Sequence, residues 1–450
     1  MNSQPPTEKN KKYPLSDQKT IQLPLVFFEI PLWHNLGEIC YTILMTMITT
    51  DVYDVVIVGG GASGMVCALE CARAGLRTLI LEKEQQPARK ILISGNGRCN
   101  LTNRHVSPEY YYTDPVLIQS ALKHFSFEDC VKYFEELGVL LREEENGRVF
   151  PSTGKATAIS DALKTALKEA GVEIAIEQEV TNIHAAAVQF ILTTKQKQVI
   201  HAHHVVLACG SCAYPHVTGT ASGYELAKSL GHTVVEPFPV LSGMCIKERA
   251  LTRLSGVKCQ VRTTVKNVPT AQAEGELIFT NYGMNGPAVL NISHTVSQEL
   301  AKGPVPLEIN FFPQLEDPKK FLEDRLDTLG HRKPKDFFTG ILNEGIVNLL
   351  VDFVGMRKNA PMNEQYAARA FQTVQAWPVT VTAMRPWKEA MVAAGGVAIS
   401  EINFNTFESR LHPDLFITGE LLDVDGKSGG FNLHFAWASG FTAACAIKEK

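Results

Sequence analysis

Between Tyr53 and Glu82 the chain reads YDVVIVGGGASGMVCALECARAGLRTLILE, which sets a strand, a glycine turn, a helix and a second strand in immediate succession. Val55 to Val58 form the short apolar run of a strand buried on both faces. Gly59, Gly61 and Gly64 follow in G-x-G-x-x-G spacing, then a helical pattern from Met65 to Ala74, closed by Gly75. Gly59 permits the sharp strand-to-helix turn, Gly61 carries no Cβ to block a pyrophosphate, and Gly64 lets helix and strand pack closely. The helix N-terminus then offers free N–H groups and positive dipole charge to phosphates. Glu82, at the tip of the Thr78 to Leu81 strand, has the spacing of a carboxylate that accepts ribose hydroxyls. A lone glycine motif is weak evidence; strand, helix, strand and acid in this order point to a bound dinucleotide.

A chain of 450 residues exceeds one ordinary core and implies two or three domains. A net charge of −4 without a basic tract argues against nucleic acid and anionic membranes as partners. Ten cysteines without framework spacing suit reduced thiols and a cytoplasmic setting. Residues 1–50 stand apart. A Lys-bearing head precedes an apolar stretch from Ile21 to Thr50 that Pro24, Glu29, Pro31, His34 and Glu38 interrupt. No part reaches the roughly 18–20 clean apolar residues of a membrane span, and no compact signal-peptide core is visible. The expectation is a poorly ordered extension, with membrane-surface or partner binding as its alternative.

After Glu82 come Lys83, Arg89 and Lys90, then Ser94-Gly95-Asn96-Gly97-Arg98-Cys99, a backbone able to approach a ligand closely, with Arg98 placed to meet phosphate or a carbonyl. Residues 115–137 and 156–170 read as amphipathic helices, and 139–151 as a hairpin through Asn146-Gly147. Segments 173–181, 188–194 and 199–207 read as strands, the last ending in Ala208-Cys209-Gly210. Cys209 and Cys212 form a C-x-x-C pair, but after a buried strand the backbone's approach to a nucleotide explains the site better than a dithiol. From Gly243 the texture turns to Val- and Thr-rich strands around Asn281 to Pro287, followed by a charged helical section from Asp317 to Phe353. The domains expected are 51–242, an inserted β-rich domain with a helical cap at 243–376, and the return of the first domain at 377–450. In that last part 393–397 reads as a glycine turn and 415–418 as a strand leading to Gly419 and Glu420. Gly429 and Gly430 then open a small-residue helix, a second anion cradle by the same logic as the first.

Taken together, VVIVGGGASGM, KILISGNGRCNLTN, FTNYGMNGPAVL, AAGGVAISEI and FITGELLDVDGKSGGFNLHFAWASGF resemble a bacterial family of NAD(P)/FAD-dependent oxidoreductases, the aminoacetone oxidase-like FAD-binding flavoproteins. Some members resemble the flavin reductases of bile-acid dehydroxylation. The resemblance spans 51–450 and implies an α/β fold: a discontinuous Rossmann-like FAD-binding domain with an inserted domain covering the flavin. It implies that Gly59, Gly61, Ala62, Ser63 and Gly64 contact the pyrophosphate and Glu82 the ribose. Lys83, Arg89, Lys90, Gly95, Asn96, Gly97, Arg98 and Cys99 would lie along the cofactor. Val180 would sit at the adenine, Gly210 with Ala208 before it near the pyrophosphate, and Glu420 with Gly419 before it at the ribityl or phosphate region; Gly430, Phe431, Asn432 and Leu433 would meet the flavin pyrimidine edge. Cys209 departs from the threonine more usual in the family.

These observations point to an FAD-dependent oxidoreductase, an NAD(P)H-using reductase of an unknown small organic substrate. With no second dinucleotide unit, NAD(P)H would be a transient donor bound over the flavin. The alternatives are an amine oxidase that reduces O₂ to H₂O₂ and, from another class, an RNA-modifying or structural flavoprotein. Cys99 and Tyr282 are weak catalytic candidates, and His216 follows the Gly210 turn. No metal site is expected, because His203 and His204 on one strand face opposite ways.

Overall fold

The structure, a computed structural model, describes residues 52–450; the extension expected at 1–50 lies outside the described residues. Val52–Val58 is the centre of a seven-stranded sheet. Thr78–Leu81 pairs with it in parallel on one side and Val199–Leu207 on the other, and Glu173–Ala175 extends the sheet beyond Thr78–Leu81. Leu415–Ile417, from the far end of the chain, also pairs in parallel with Val199–Leu207. Register then decides where the site lies. Val58 stands opposite Leu81 and Leu207, and Leu207 opposite Ile417. The residues that follow these strands, Gly59, Glu82, Ala208 and Thr418, therefore emerge together at the carboxyl edge, where open α/β sheets bind ligands.

The first helix runs Ala62–Arg73, so Gly64 already lies in its first turn. A Cβ on Gly64 would stand 2.1 Å from the Gly59 carbonyl oxygen, and one on Gly59 would stand 2.5 Å from that of Ala208. Both glycines are there because backbone meets backbone. The C-terminal helix, Phe431–Lys448, lies against this first helix, with Gly440 so close that a Cβ would come within 2.2 Å of Ser63 O. Segments 115–137 and 156–170 form helices at Pro115–His124, Phe127–Glu136 and Thr157–Glu169. The expected hairpin pairs Leu141–Glu143 with Arg148–Pro151 across Asn146 and Gly147, both at positive φ.

Three local expectations are corrected. Segment 173–181 is not one strand: Glu173–Ala175 and Val180–Ala185 lie on opposite margins of the sheet, and Glu177 turns between them at φ +57. The crossing carries Gln178 past Glu82, whose carbonyl accepts from Gln178 N at 2.9 Å. The glycine turn expected at 393–397 is a buried strand, Val392–Val397, antiparallel to Val234–Val240. Its glycines serve close packing: a Cβ on Gly395 would meet Glu236 O, and one on Gly396 would meet Leu421 O, each at 2.6 Å. Trp377–Met384, expected in the returning segment, instead closes a six-stranded barrel with Met244–Ile246, Lys258–Val265, Val268–Phe279, Gly283–Asn285 and Val305–Asn310. Four helices between Pro318 and Gln375 cover the barrel, burying Phe337, Phe338 and Phe371. Val234–Val240 leads into the barrel unit and Val392–Val397 leads out of it, side by side.

His434 pins the C-terminal helix to the first unit. Its ring is fully buried; Nδ1 lies 2.7 Å from Thr102 Oγ1 and Nε2 3.1 Å from Phe125 O. A carbonyl only accepts, so Nε2 carries the proton and Nδ1 accepts from the threonine. Burial lowers the imidazole pKa from 6.5 to about 4. Between those values the unfolded chain binds a proton that the folded chain refuses. The stability contributed by the neutral ring is therefore complete above the unfolded pKa and is lost as pH falls toward 4, by on the order of 3 kcal/mol. Urea midpoints measured between pH 7 and 4 should fall, and His434→Gln should show a shallower fall from a lower starting point.

Candidate functional site

The strand ends, the hairpin and one side of the barrel enclose a cavity of about 720 Å³. The structure brings Gly59, Gly61, Ala62, Ser63, Glu82, Lys83, Arg89, Lys90, Gly95, Asn96 and Arg98 to its wall. Val180, Ala208, Gly210, Glu420, Gly430, Asn432 and Leu433 join them, so residues nearly four hundred positions apart share one surface. Two helices point their N-termini here. The first is preceded by Gly61 and the last by Gly430, and neither has a side-chain cap, so their leading N–H groups are left for a ligand.

Glu82 is built into the cradle. One carboxylate oxygen accepts from Gly60 N and the other from Glu84 N, both at 2.8 Å. Burial raises its pKa, and those two amides oppose the rise. Most cations on the wall are already matched: Lys83 and Arg89 to Glu84, Lys90 to Glu420, Arg98 to Glu144 and Lys258 to Glu276, while Arg148 donates to the Glu145 carbonyl at 3.2 Å. Arg98, expected to reach phosphate or a carbonyl, also lies over the Phe150 ring at 4.1 Å. Glu420 takes Ser211 Oγ at 2.6 Å and Ala393 N at 3.1 Å besides Lys90, tying the returning segment to the Gly210 loop.

The remaining candidates, Cys209 apart, lie off the cavity wall. Gly64 and Gly419 act through packing, the latter against Ser63. Gly97 sits in a left-handed turn with Gly95, Asn96 and Cys99. Phe431 is buried and stacks on Tyr110 at 4.3 Å. Cys99 is wholly buried, and burial pushes its thiol up to about 12, which removes it as a nucleophile at neutral pH. Tyr282 is beneath Arg385 at 4.2 Å; its hydroxyl accepts from Asn285 Nδ2 at 3.3 Å, and Asn285 is on the wall. His216 is exposed beside Tyr214. Cys209 and Cys212 are free thiols. Among the described residues no group of three or more His, Cys, Asp or Glu is placed to hold a metal, and no helix is long and apolar enough to cross a membrane.

Several wall residues carry no local sequence signal: Ile93, Phe150, Gln178, Tyr214 and Met391. Ile93 and Met391 are each 36% exposed, apolar surface left uncovered. Tyr214 holds φ +54, a conformation costing an aromatic residue about 1–3 kcal/mol.

The wall fits FAD. A Cβ on Gly61 or Gly210 would meet nothing within 4 Å, so both glycines leave open space at the helix N-terminus where a pyrophosphate would lie. Asn100 Oδ1 and Gln178 Oε1 are buried on the wall with no protein partner, positions for ligand donors such as an amino or imide N–H.

Residues 53–446 match the family described as the HI0933-like protein Rossmann domain. The 3-dehydro-bile acid delta(4,6)-reductase of Clostridium scindens is 32% identical over 405 residues, covering 88% of this chain and 98% of that one. The ribosomal RNA dihydrouridine synthase of Haemophilus influenzae is 30% identical over 409 residues, covering 88% and 98%. Its Escherichia coli namesake is 28% identical over 405 residues, covering 88% and 97%. Two such relatives remove the support for excluding nucleic acid on charge alone.

Two of the fingerprint glycines should separate in mutation. Gly61→Val, whose side chain enters open cavity, is expected to weaken FAD binding at least 100-fold with a melting temperature within about 2 °C of wild type. Gly64→Val, which drives a side chain into the Gly59 carbonyl, should lower folding stability by about 3 kcal/mol or more. Isothermal titration with FAD and thermal melts check both.

Proposed function

The chain belongs to the HI0933-like family of FAD-dependent Rossmann oxidoreductases, and on that premise we propose that it is an NAD(P)H-using reductase of a small, largely apolar substrate with a C=C bond conjugated to a carbonyl. One observation carries this reading. The cavity does not end at the glycine cradle; it continues to a wall of Leu241, Ile278, Pro287, Leu290, Met391 and Val392, drawn from the barrel unit and the strands joining it. A space lined this way favours a compact apolar molecule, oriented by the few polar groups among the apolar ones, Asn285, Lys258 and Glu276. The Clostridium relative, named for a 3-dehydro-bile acid, supports the conjugated-ketone class.

FAD held in this cradle would supply hydride chemistry between a nicotinamide donor and the substrate. The protein's part is to hold and orient. Glu82 receives ribose hydroxyls, the two uncapped helix ends offset negative charge, and the apolar wall keeps water from the reacting carbon. Among the described residues there is one strand–G-x-G-x-x-G–helix unit, so the nicotinamide donor shares the cavity with the substrate and the two bind in turn.

RNA modification is the second reading, supported by the two relatives named as ribosomal RNA dihydrouridine synthases. Anaerobic stopped-flow spectroscopy discriminates. NADPH or NADH should bleach the oxidised-flavin band, and a 3-oxo-Δ4 bile acid should restore it in a single turnover. Reoxidation by unmodified ribosomal RNA and not by the ketone would favour the second reading. Bleaching by an amine alone, with H₂O₂ formed in air, would make the protein an oxidase.

A further inference from the structure

Hydride addition to a conjugated ketone leaves the substrate as an enolate that must gain a proton, and no candidate from the sequence supplies one. Cys99 is buried off the cavity, Tyr282 is turned to Asn285 and Arg385, and His216 faces outward. Tyr214 is placed differently. It lines the cavity, is half-buried, and its hydroxyl has no protein partner among the described residues.

The backbone holds it there against its own preference. Tyr214 sits in the left-handed region, where a bulky side chain is rare, and the loop leaves it no other choice. Its N–H donates to Trp387 O at 3.2 Å, and its carbonyl accepts from the N–H groups of Val217, Thr218 and Gly219. The loop then closes so tightly that a Cβ on Gly219 would stand 2.2 Å from Ala213 O. Strain kept in place by this many bonds, at a residue that lines a ligand cavity and whose hydroxyl has no protein partner among the described residues, is the pattern found where strain serves function. Burial raises the phenol's pKa, so it stays protonated at neutral pH.

We propose that Tyr214 is the acid that protonates the reduced substrate. The inference rests on the conjugated-ketone reading above. Hydride from reduced FAD forms a C–H bond at the β-carbon, and the C=C electron pair moves to the carbonyl oxygen as an enolate. The phenolic O–H of Tyr214 then breaks, its proton forms a C–H bond at the α-carbon as the ketone re-forms, and the phenolate regains a proton from water. Each turnover consumes one hydride and one proton.

Tyr214→Phe in the FAD-loaded enzyme tests this. Reduction by NADPH and the Kd for FAD should stay within about 3-fold of wild type, while reoxidation by a 3-oxo-Δ4 bile acid should slow at least 100-fold. A readout apart from activity is the fluorescence lifetime of the bound oxidised flavin. Tyrosine quenches flavin by electron transfer and phenylalanine does not, so the lifetime should lengthen at least two-fold. Reoxidation within about 3-fold of wild type, or an unchanged lifetime, overturns the assignment. FAD binding that weakens while reoxidation of the loaded enzyme is unchanged makes Tyr214 a cofactor contact and overturns it too. A wild type that the ketone does not reoxidise overturns the substrate reading and the acid with it, an outcome distinct from failure of the variant comparison.

Discussion

The structure depends on backbone contacts that only glycine permits, gathered around the start of the first helix. Gly64 lies against the Gly59 carbonyl, Gly419 against the Ser63 side chain, and Gly440 against the Ser63 backbone. The first contact sets the leading helix on the strand end. The last two bring in the returning segment and the terminal helix. An added Cβ at Gly64 or Gly440 would meet backbone at about 2 Å and push the elements apart, and the two helix N-termini would no longer face one cavity. Parallel register does the rest, bringing Glu82, Ala208 and Thr418 to the same edge.

Most of the positive charge on the wall is paired before a ligand arrives. Lys90, Arg89, Arg98 and Lys258 each have a carboxylate partner. An anionic dinucleotide is therefore met mainly by backbone N–H groups and helix dipoles, which have a fixed direction and lose no side-chain entropy on binding. The pairing also fixes shape. Glu420 joins Lys90, Ser211 and Ala393, residues from three separate stretches of chain. The same wall includes Tyr214, held by its own loop.

Legibility in the sequence followed locality. The strand–turn–helix unit, the acid at Glu82 and the glycine pair before the last helix carry their reasons in adjacent residues, and most of the residues they nominate reach one cavity. Gly395 and Gly396 misled, because a turn glycine and a glycine that admits a neighbouring strand look alike in one dimension. Trp377–Met384 joins the barrel through pairing with strands far off in sequence, which local patterning does not reveal. Ile93, Met391 and Tyr214 were invisible for the same reason: only the fold shows that an apolar side chain is left uncovered, or that a tyrosine backbone is strained.

The central claim is that the two ends of the described chain close around one FAD. Its most direct test is the flavin content of gently purified protein after gel filtration, read from the visible absorbance and from the cofactor released on heating. One non-covalent FAD per chain is the predicted result. A colourless protein that takes up no FAD when it is supplied would contradict the account.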